Sequence, residues 1–160
     1  GGLGIHQASH IVLPGQGAFL DLQDTYRDEL NKARGRGAAI LGICLGMQLM
    51  CESSDEAPGV QGLGWFPYAV RRLTAKRLPH VGWNWLWGGG PFAFRDYYFC
   101  HSYAVPAPVT EVPALHSWAV QYNGDTFAGA IEYNNLWATQ FHPEKSGKAG
   151  LELLQEFLNL

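Results

Sequence analysis

Gly37-Ala38-Ala39-Ile40-Leu41-Gly42-Ile43-Cys44-Leu45-Gly46-Met47-Gln48-Leu49-Met50 is the stretch whose reading decides the fold. Gly37 to Leu41 is short, apolar and opened by glycine, the mark of a buried strand. Met47 to Met50 reads as the first turn of a helix. Between them lies Gly42-Ile43-Cys44-Leu45-Gly46, a small–x–nucleophile–x–small pattern that fits a nucleophile elbow. Such a turn forces its central residue into strained backbone geometry. Its flanking positions crowd the neighbouring strand and helix, where a side chain would clash. The Cys44 thiol then stands at a helix N-terminus, where backbone N–H groups and the helix dipole favour thiolate. Taken alone, the pentapeptide also fits a small, inert, buried cysteine.

Upstream, His10-Ile11-Val12-Leu13 is a β-branched apolar strand that ends in a glycine-rich turn, Pro14-Gly15-Gln16-Gly17-Ala18-Phe19. Asp21 to Lys32 has helical spacing, with Leu22, Tyr26 and Leu30 along one face. The order strand, loop, helix, strand, elbow, helix predicts an α/β fold, a mostly parallel open sheet flanked by helices. Sites in such sheets form at the carboxyl ends of the strands. The Pro14–Phe19 turn and the elbow both sit there and can face each other.

The middle of the chain has another texture. Glu52 to Pro58 is acidic and polar and reads as a loop. Aromatics and glycines dominate from Val60 to Val105, which predicts antiparallel strands and turns on the sheet's edge. Trp83, Trp85 and Trp87 alternate with Asn84 and Leu86 and read as packing rather than a binding platform; Tyr97 to Tyr103 is another strand. Cys51 and Cys100 read as core residues. A proline-rich loop, Pro106 to Pro113, leads to Ser117–Tyr122 and Phe127–Tyr133, which bracket the hairpin turn Asn123-Gly124-Asp125. Leu136 to Phe141 is the next strand. Gly147 to Leu160 closes the chain as an amphipathic helix, with Leu151, Leu154 and Leu158 inward.

The 160 residues, 47% hydrophobic and 16% charged, suit a single domain, 1–160, with a substantial core. The net charge of −3, with no basic cluster beyond Arg71-Arg72 and Lys76-Arg77, argues against a nucleic-acid surface. No apolar run is long enough to span a membrane. Three cysteines without a Cys-x-x-Cys make neither a disulfide framework nor a zinc site. No metal or cofactor is expected, and a reducing cytoplasm is the simplest compartment.

The second half of the chemistry follows the late strand, in Gln140-Phe141-His142-Pro143-Glu144. In an extended segment residues i and i+2 point the same way, so His142 and Glu144 share a face. Pro143 stiffens the chain between them. A carboxylate there can hold the imidazole in one tautomer while its other nitrogen takes a proton from a thiol, as a cysteine–histidine–acid triad requires.

Leu41–Gln48 together with Gln140–Gly147 resembles the class I (triad) glutamine amidotransferases. Leu13–Phe19, Pro79-His80-Val81-Gly82-Trp83-Asn84 and Phe99-Cys100-His101-Ser102-Tyr103 narrow the resemblance to the glutaminase subunits of imidazole glycerol phosphate synthases. The resemblance implies a flavodoxin-like fold in which Cys44 attacks the side-chain amide of glutamine, His142 moves the proton and Glu144 orients His142. It implies an oxyanion hole from the backbone N–H of Leu45 and the Gly15-Gln16-Gly17 loop. Gln16 stands where the family commonly has a small apolar residue. The resemblance also places Gln48, His101, Ser102 and Tyr103 near bound glutamine. The implied partner is a (βα)8-barrel cyclase in a heterodimer, which takes the ammonia into imidazole glycerol phosphate and AICAR in histidine biosynthesis. The same chemistry serving sugar or nucleotide amination, and a non-catalytic binding module of the same fold, are the alternatives. The family's opening strand, with its Asp-Tyr-Gly-x-Gly-Asn segment, and the helix after it have no counterpart here. Two expectations follow, a piece of a longer protein or, as the second choice, a truncated or rebuilt variant; the join at Leu73–Leu78 looks short for the family and fits a gap of residues there.

Overall fold

In chain order the elements are β1 (His10–Leu13), α1 (Asp24–Gly35), β2 (Ala39–Ile43), α2 (Leu45–Leu49), β3 (Ser53–Ser54), β4 (Ala69–Arg72), β5 (His80–Trp85), β6 (Asp96–His101), β7 (Tyr103–Ala104), β8 (Leu115–Tyr122), β9 (Asp125–Tyr133), β10 (Leu136–Thr139) and α3 (Gly147–Leu158). The structure, a computed structural model, describes residues 4–17, 19 and 24–160. Five strands form the main sheet in the order β1-β2-β10-β9-β8. The β1, β2 and β10 strands run parallel, while β9 and β8 are antiparallel additions. The parallel half carries the strand ends that build the site.

All of β2 is buried, and its alternation splits the core in two. Ala39, Leu41 and Ile43 pack with Phe99, Phe127, Phe141, Leu153 and Phe157. Ile40 packs on the other face with Leu30, Ala33, Met47, Met50 and Phe66. Burying both faces of a strand is what an unbroken apolar run such as Ala38–Ile43 provides. The β8–β9 hairpin turns at Asn123 and Gly124, both at positive φ, as a two-residue loop demands.

Four expectations need correction. The expected α1 face included Leu22, which lies outside the described residues, and Tyr26, which is exposed; Leu30 faces inward as expected, joined by Ala33. In α3, Leu151 and Leu158 are exposed, and Gly150, Leu153 and Phe157 form the buried face. Gly150 decides that rotation: a Cβ there would lie 1.9 Å from the Pro143 carbonyl oxygen, so this face alone can abut the chain entering the helix. The aromatic middle is antiparallel as expected, in β4–β7 and in the β5–β6 hairpin, and meets the edge strand β8 through a bridge at Trp87 and Ala119. It differs in forming sheets of its own, β3-β4-β7 and β5-β6, rather than extending the main sheet as a ladder. Trp83, Trp85 and Trp87 are 57%, 48% and 50% exposed, so the series is surface rather than core.

Leu73 to Leu78 is closed by a local clasp. The Asp125 carboxylate accepts from the Thr74 and Ala75 N–H groups and from the Thr74 hydroxyl. Those donors hold the Asp125 carboxyl below its ordinary range against the opposing effect of burial. No helix among the described residues is long and apolar enough to cross a membrane.

Candidate active site

The elbow forms as its glycines require. Cys44 sits at φ 49°, ψ −103°, as the N-cap of α2. Its N–H donates to the Thr139 carbonyl (2.6 Å) on β10, and its own carbonyl accepts from the Gln48 N–H to start the helix. Gly46 lets α2 lie directly on β1, since a Cβ there would be 2.1 Å from the Leu13 carbonyl oxygen. Gly42 makes the matching close approach, with Gly46 main-chain atoms 2.8 Å from a Cβ built at that position.

His142 follows the end of β10 in extended geometry. Its N–H donates to the Tyr98 carbonyl on β6 (2.9 Å), and its carbonyl accepts from the Ser146 hydroxyl (2.6 Å). That hydroxyl also accepts from the Tyr98 N–H, so the hairpin and the start of α3 clamp His142 together. Glu144 Oε1 lies 2.7 Å from His142 Nδ1, the contact expected from the i, i+2 spacing. With Nδ1 on a carboxylate, Nε2 is the nitrogen left for proton transfer.

Gly15 shows that the two halves meet. A Cβ on Gly15 would sit 2.9 Å from His142 Cε1, 3.0 Å from the Cys44 Cβ and 3.0 Å from the Ile43 carbonyl oxygen. Both side chains therefore crowd one point at the end of β1, although 98 residues of chain separate them. Gly17, at φ 111°, comes near Leu45, so the Gly15–Gly17 loop borders the elbow; Gln16 is exposed. Ala18 lies outside the described residues.

The sulfur is not a resting thiolate. Burial pushes the Cys44 thiol up to about 11, against the downward pull of the Leu45 N–H and the Gln140 amide, while Cys100 and Glu144 add to the rise. This corrects the expectation from the helix terminus: α2 has only five residues, and desolvation outweighs its amides. The thiol keeps its proton until a base removes it, which is the role open to His142 Nε2. Cys51 is buried, as expected, and burial raises its thiol to about 12. Cys100 is exposed, contrary to expectation, because it faces outward on β6 opposite Val81.

The residues expected near a bound substrate divide. Gln48 is buried, and its Nε2 donates to the Tyr103 carbonyl (3.0 Å) and to Gln140 Oε1 (3.2 Å). His101 is buried between the Tyr103 carbonyl (Nδ1, 2.9 Å) and His80 Nδ1 (Nε2, 3.1 Å). The structure makes both internal braces rather than open contacts. Ser102 and Tyr103 are partly exposed, and the Ser102 carbonyl accepts from Leu73 N–H. Gln140 was not singled out by sequence reasoning as a site residue. It is fully buried and its Nε2 lies 3.4 Å from Cys44 Sγ. The signal was a lone amide closing an apolar strand directly before Phe141-His142. Among the described residues no group of three or more His, Cys, Asp or Glu is placed to hold a metal ion.

Comparison with known proteins agrees with this geometry. The model for "Glutamine amidotransferase class-I" matches residues 5–160. The chain is 44% identical over 156 residues to imidazole glycerol phosphate synthase subunit HisH of Thermus thermophilus, covering 92% of this chain and 76% of that protein. The HisH subunit of Pyrococcus furiosus is 39% identical over 167 residues, covering 98% and 84%. A solved glutamine amidotransferase superposes with a TM-score of 0.72 at 18% identity, covering 96% of this chain and 79% of that one. PurLQS from Thermotoga maritima follows at a TM-score of 0.66 and 17% identity, covering 96% and 80%; at such identities these two structures speak for the fold.

Proposed function

The chain belongs to the class-I glutamine amidotransferase family, and from that premise we propose that it is the glutaminase subunit of an imidazole glycerol phosphate synthase. Glutamine is the substrate, and Cys44, His142 and Glu144 are the catalytic residues. The observation that supports this reading best is the crowding of Cys44 and His142 around Gly15, with His142 Nδ1 held by Glu144. His142 Nε2 takes the Cys44 proton as sulfur attacks the amide carbon of glutamine. The imidazolium then gives that proton to the departing nitrogen, so ammonia leaves and a γ-glutamyl thioester remains. Water, deprotonated by His142, cleaves the thioester, which returns the thiol and releases glutamate.

The tetrahedral oxyanion needs fixed donors. The Leu45 N–H already lies against the sulfur, and the Gly15-Gln16-Gly17 backbone is the neighbouring source of a second donor. One such donor is worth about 3 kcal/mol of barrier, roughly a hundredfold in rate. Free ammonia protonates in water, so its use requires a partner docked over the site. We assign that role to a (βα)8-barrel cyclase in a cytoplasmic heterodimer serving histidine biosynthesis.

Glutamate release from glutamine, measured with and without the cyclase loaded with its nucleotide substrate, tests the reading. Strong stimulation by the loaded cyclase is the expected result. Partner-independent turnover would move the acceptor elsewhere, and no turnover in either case would leave a binding module.

A further inference from the structure

A line of hydrogen bonds runs from the aromatic hairpin to the nucleophile, and its polarity can be worked out from one fixed point. The Tyr103 carbonyl can only accept, so His101 Nδ1 and Gln48 Nε2 both donate to it. A neutral His101 with its proton on Nδ1 has Nε2 as acceptor, and the donor to it is His80 Nδ1 at 3.1 Å. His80 Nε2 is then an acceptor, facing the Asn84 amide nitrogen at 3.4 Å. On the other side, Gln48 Nε2 also donates to Gln140 Oε1. With Oε1 so occupied, Gln140 must turn Nε2 toward Cys44 Sγ, 3.4 Å away. Flipping the amide would set two N–H groups against each other and present a lone pair to the sulfur. Gln48, His80, His101 and Gln140 are all buried, which keeps water from substituting for any link. Both rings remain neutral as this polarity requires, since burial holds His80 down to about 4 and His101 down to about 3.

We propose that Gln140 is a positioning residue that aims a donor at the Cys44 sulfur, and that Gln48, His101 and His80 fix its orientation through the Tyr103 carbonyl. The proposal rests on Cys44 being the nucleophile of the glutaminase reaction. The donor stabilises the thiolate that forms when the proton leaves. It works against the burial of the sulfur and the nearby Glu144 and Cys100, with His142 meeting Cys44 beside Gly15.

The test is the pH dependence of Cys44 alkylation by iodoacetamide in the 160-residue chain without glutamine. Each cysteine is read separately by peptide mass spectrometry. In Gln140→Leu the Cys44 profile is expected to move up by about one pH unit, a tenfold slower reaction at fixed pH below the midpoint. Exposed Cys100 should keep its rate. Gln140→Met, read in parallel, carries the same expectation and guards against misfolding of one variant. His80→Leu should slow Cys44 about threefold, and His80→Asn, whose amide nitrogen stands where Nδ1 was, should restore most of that loss. A cooperatively melting Gln140→Leu or Gln140→Met with the parental Cys44 profile overturns the role of Gln140. Equal profiles for His80→Leu and His80→Asn overturn the relay. If the parent releases no glutamate from glutamine but the profiles shift as described, the positioning stands and the functional reading falls.

Discussion

The parallel ladder β1-β2-β10 and the β5–β6 hairpin build the same site in different ways. The ladder positions the side chains proposed to react: Cys44 just past β2 and His142 just past β10. The hairpin contributes backbone, with the Tyr98 carbonyl holding the His142 N–H and the Cys100 carbonyl 3.9 Å from Cys44 Sγ. The ladder is buried on both faces at β2, whereas the hairpin buries Tyr97, Phe99 and His101 and leaves Val81, Trp83 and Trp85 outside. A strand enclosed on both sides tolerates no change of register or volume. A hairpin with one open face holds the site from behind and keeps a surface to offer.

The largest effect expected from breaking the ladder side is chemical. Cys44→Ala should lower glutamine turnover by at least about ten-thousandfold, while the melting temperature stays within a few degrees of the parent. Glutamate release beside a thermal melt measures both; retained turnover would remove Cys44 as the nucleophile. Next comes Gly46→Ala, which forces a Cβ to 2.1 Å from the Leu13 carbonyl oxygen and must part α2 from β1. It should cost about 3 kcal/mol or more of stability. Gly89→Ala, in the loop joining β5 to β6, meets nothing within 4 Å and should change stability by less than about 1 kcal/mol. Denaturant unfolding of the two variants compares the regions directly, and equal losses would erase the contrast.

Acid should expose the hairpin before the ladder. His80 and His101 are held neutral by burial, with folded values near 4 and near 3 against an ordinary 6.5. The unfolded chain therefore binds more protons than the folded one below pH 6.5. The stability these rings contribute is complete above 6.5 and is lost as pH falls toward 4 and then 3. Each ring removes up to about 1.4 kcal/mol per pH unit in that window. His80→Phe should flatten the stability–pH curve between pH 6.5 and 4. An unchanged slope would show that His80 is not held neutral.

The ladder was legible in the sequence because its constraints are periodic and local. An unbroken apolar run, glycines on both sides of Cys44 and a His-x-Glu after a strand each state their own geometry. The β1 strand came out at His10–Leu13, as the β-branched run predicted. The face of α3 was not legible, because the residue that sets it, Gly150, carries no apolar side chain to register in a periodic pattern. The charge state of Cys44 was not legible either. A helix terminus is visible in sequence, but the burial that outweighs it is set by how distant segments fold over the sulfur, with the Cys100 carbonyl on β6 and the Gln140 amide just past β10 both against it. Gln140 escaped for the same reason, since its partners Gln48 and Cys44 are 92 and 96 positions away.

The hairpin surface carries the smallest expected effect and the sharpest contrast. Alternation in Trp83-Asn84-Trp85-Leu86-Trp87 establishes which residues share a face but not whether anything covers that face, so packing and exposure look alike in sequence. In the fold Trp85 stands opposite Asp96 and is 48% exposed, while Leu86 beside it is fully buried. Trp85→Ser should therefore change stability by less than about 0.5 kcal/mol, a shift of under about 2 °C in the melt. Leu86→Ala should cost about 2–5 kcal/mol, because it opens a cavity beside Val120 and Gly129. Partner-free glutamine turnover should be unchanged in Trp85→Ser, since the ring touches neither Cys44 nor His142. A loss above about 2 kcal/mol in Trp85→Ser would mean that the tryptophan series packs against the rest of the chain after all, and the open face would have to be given up.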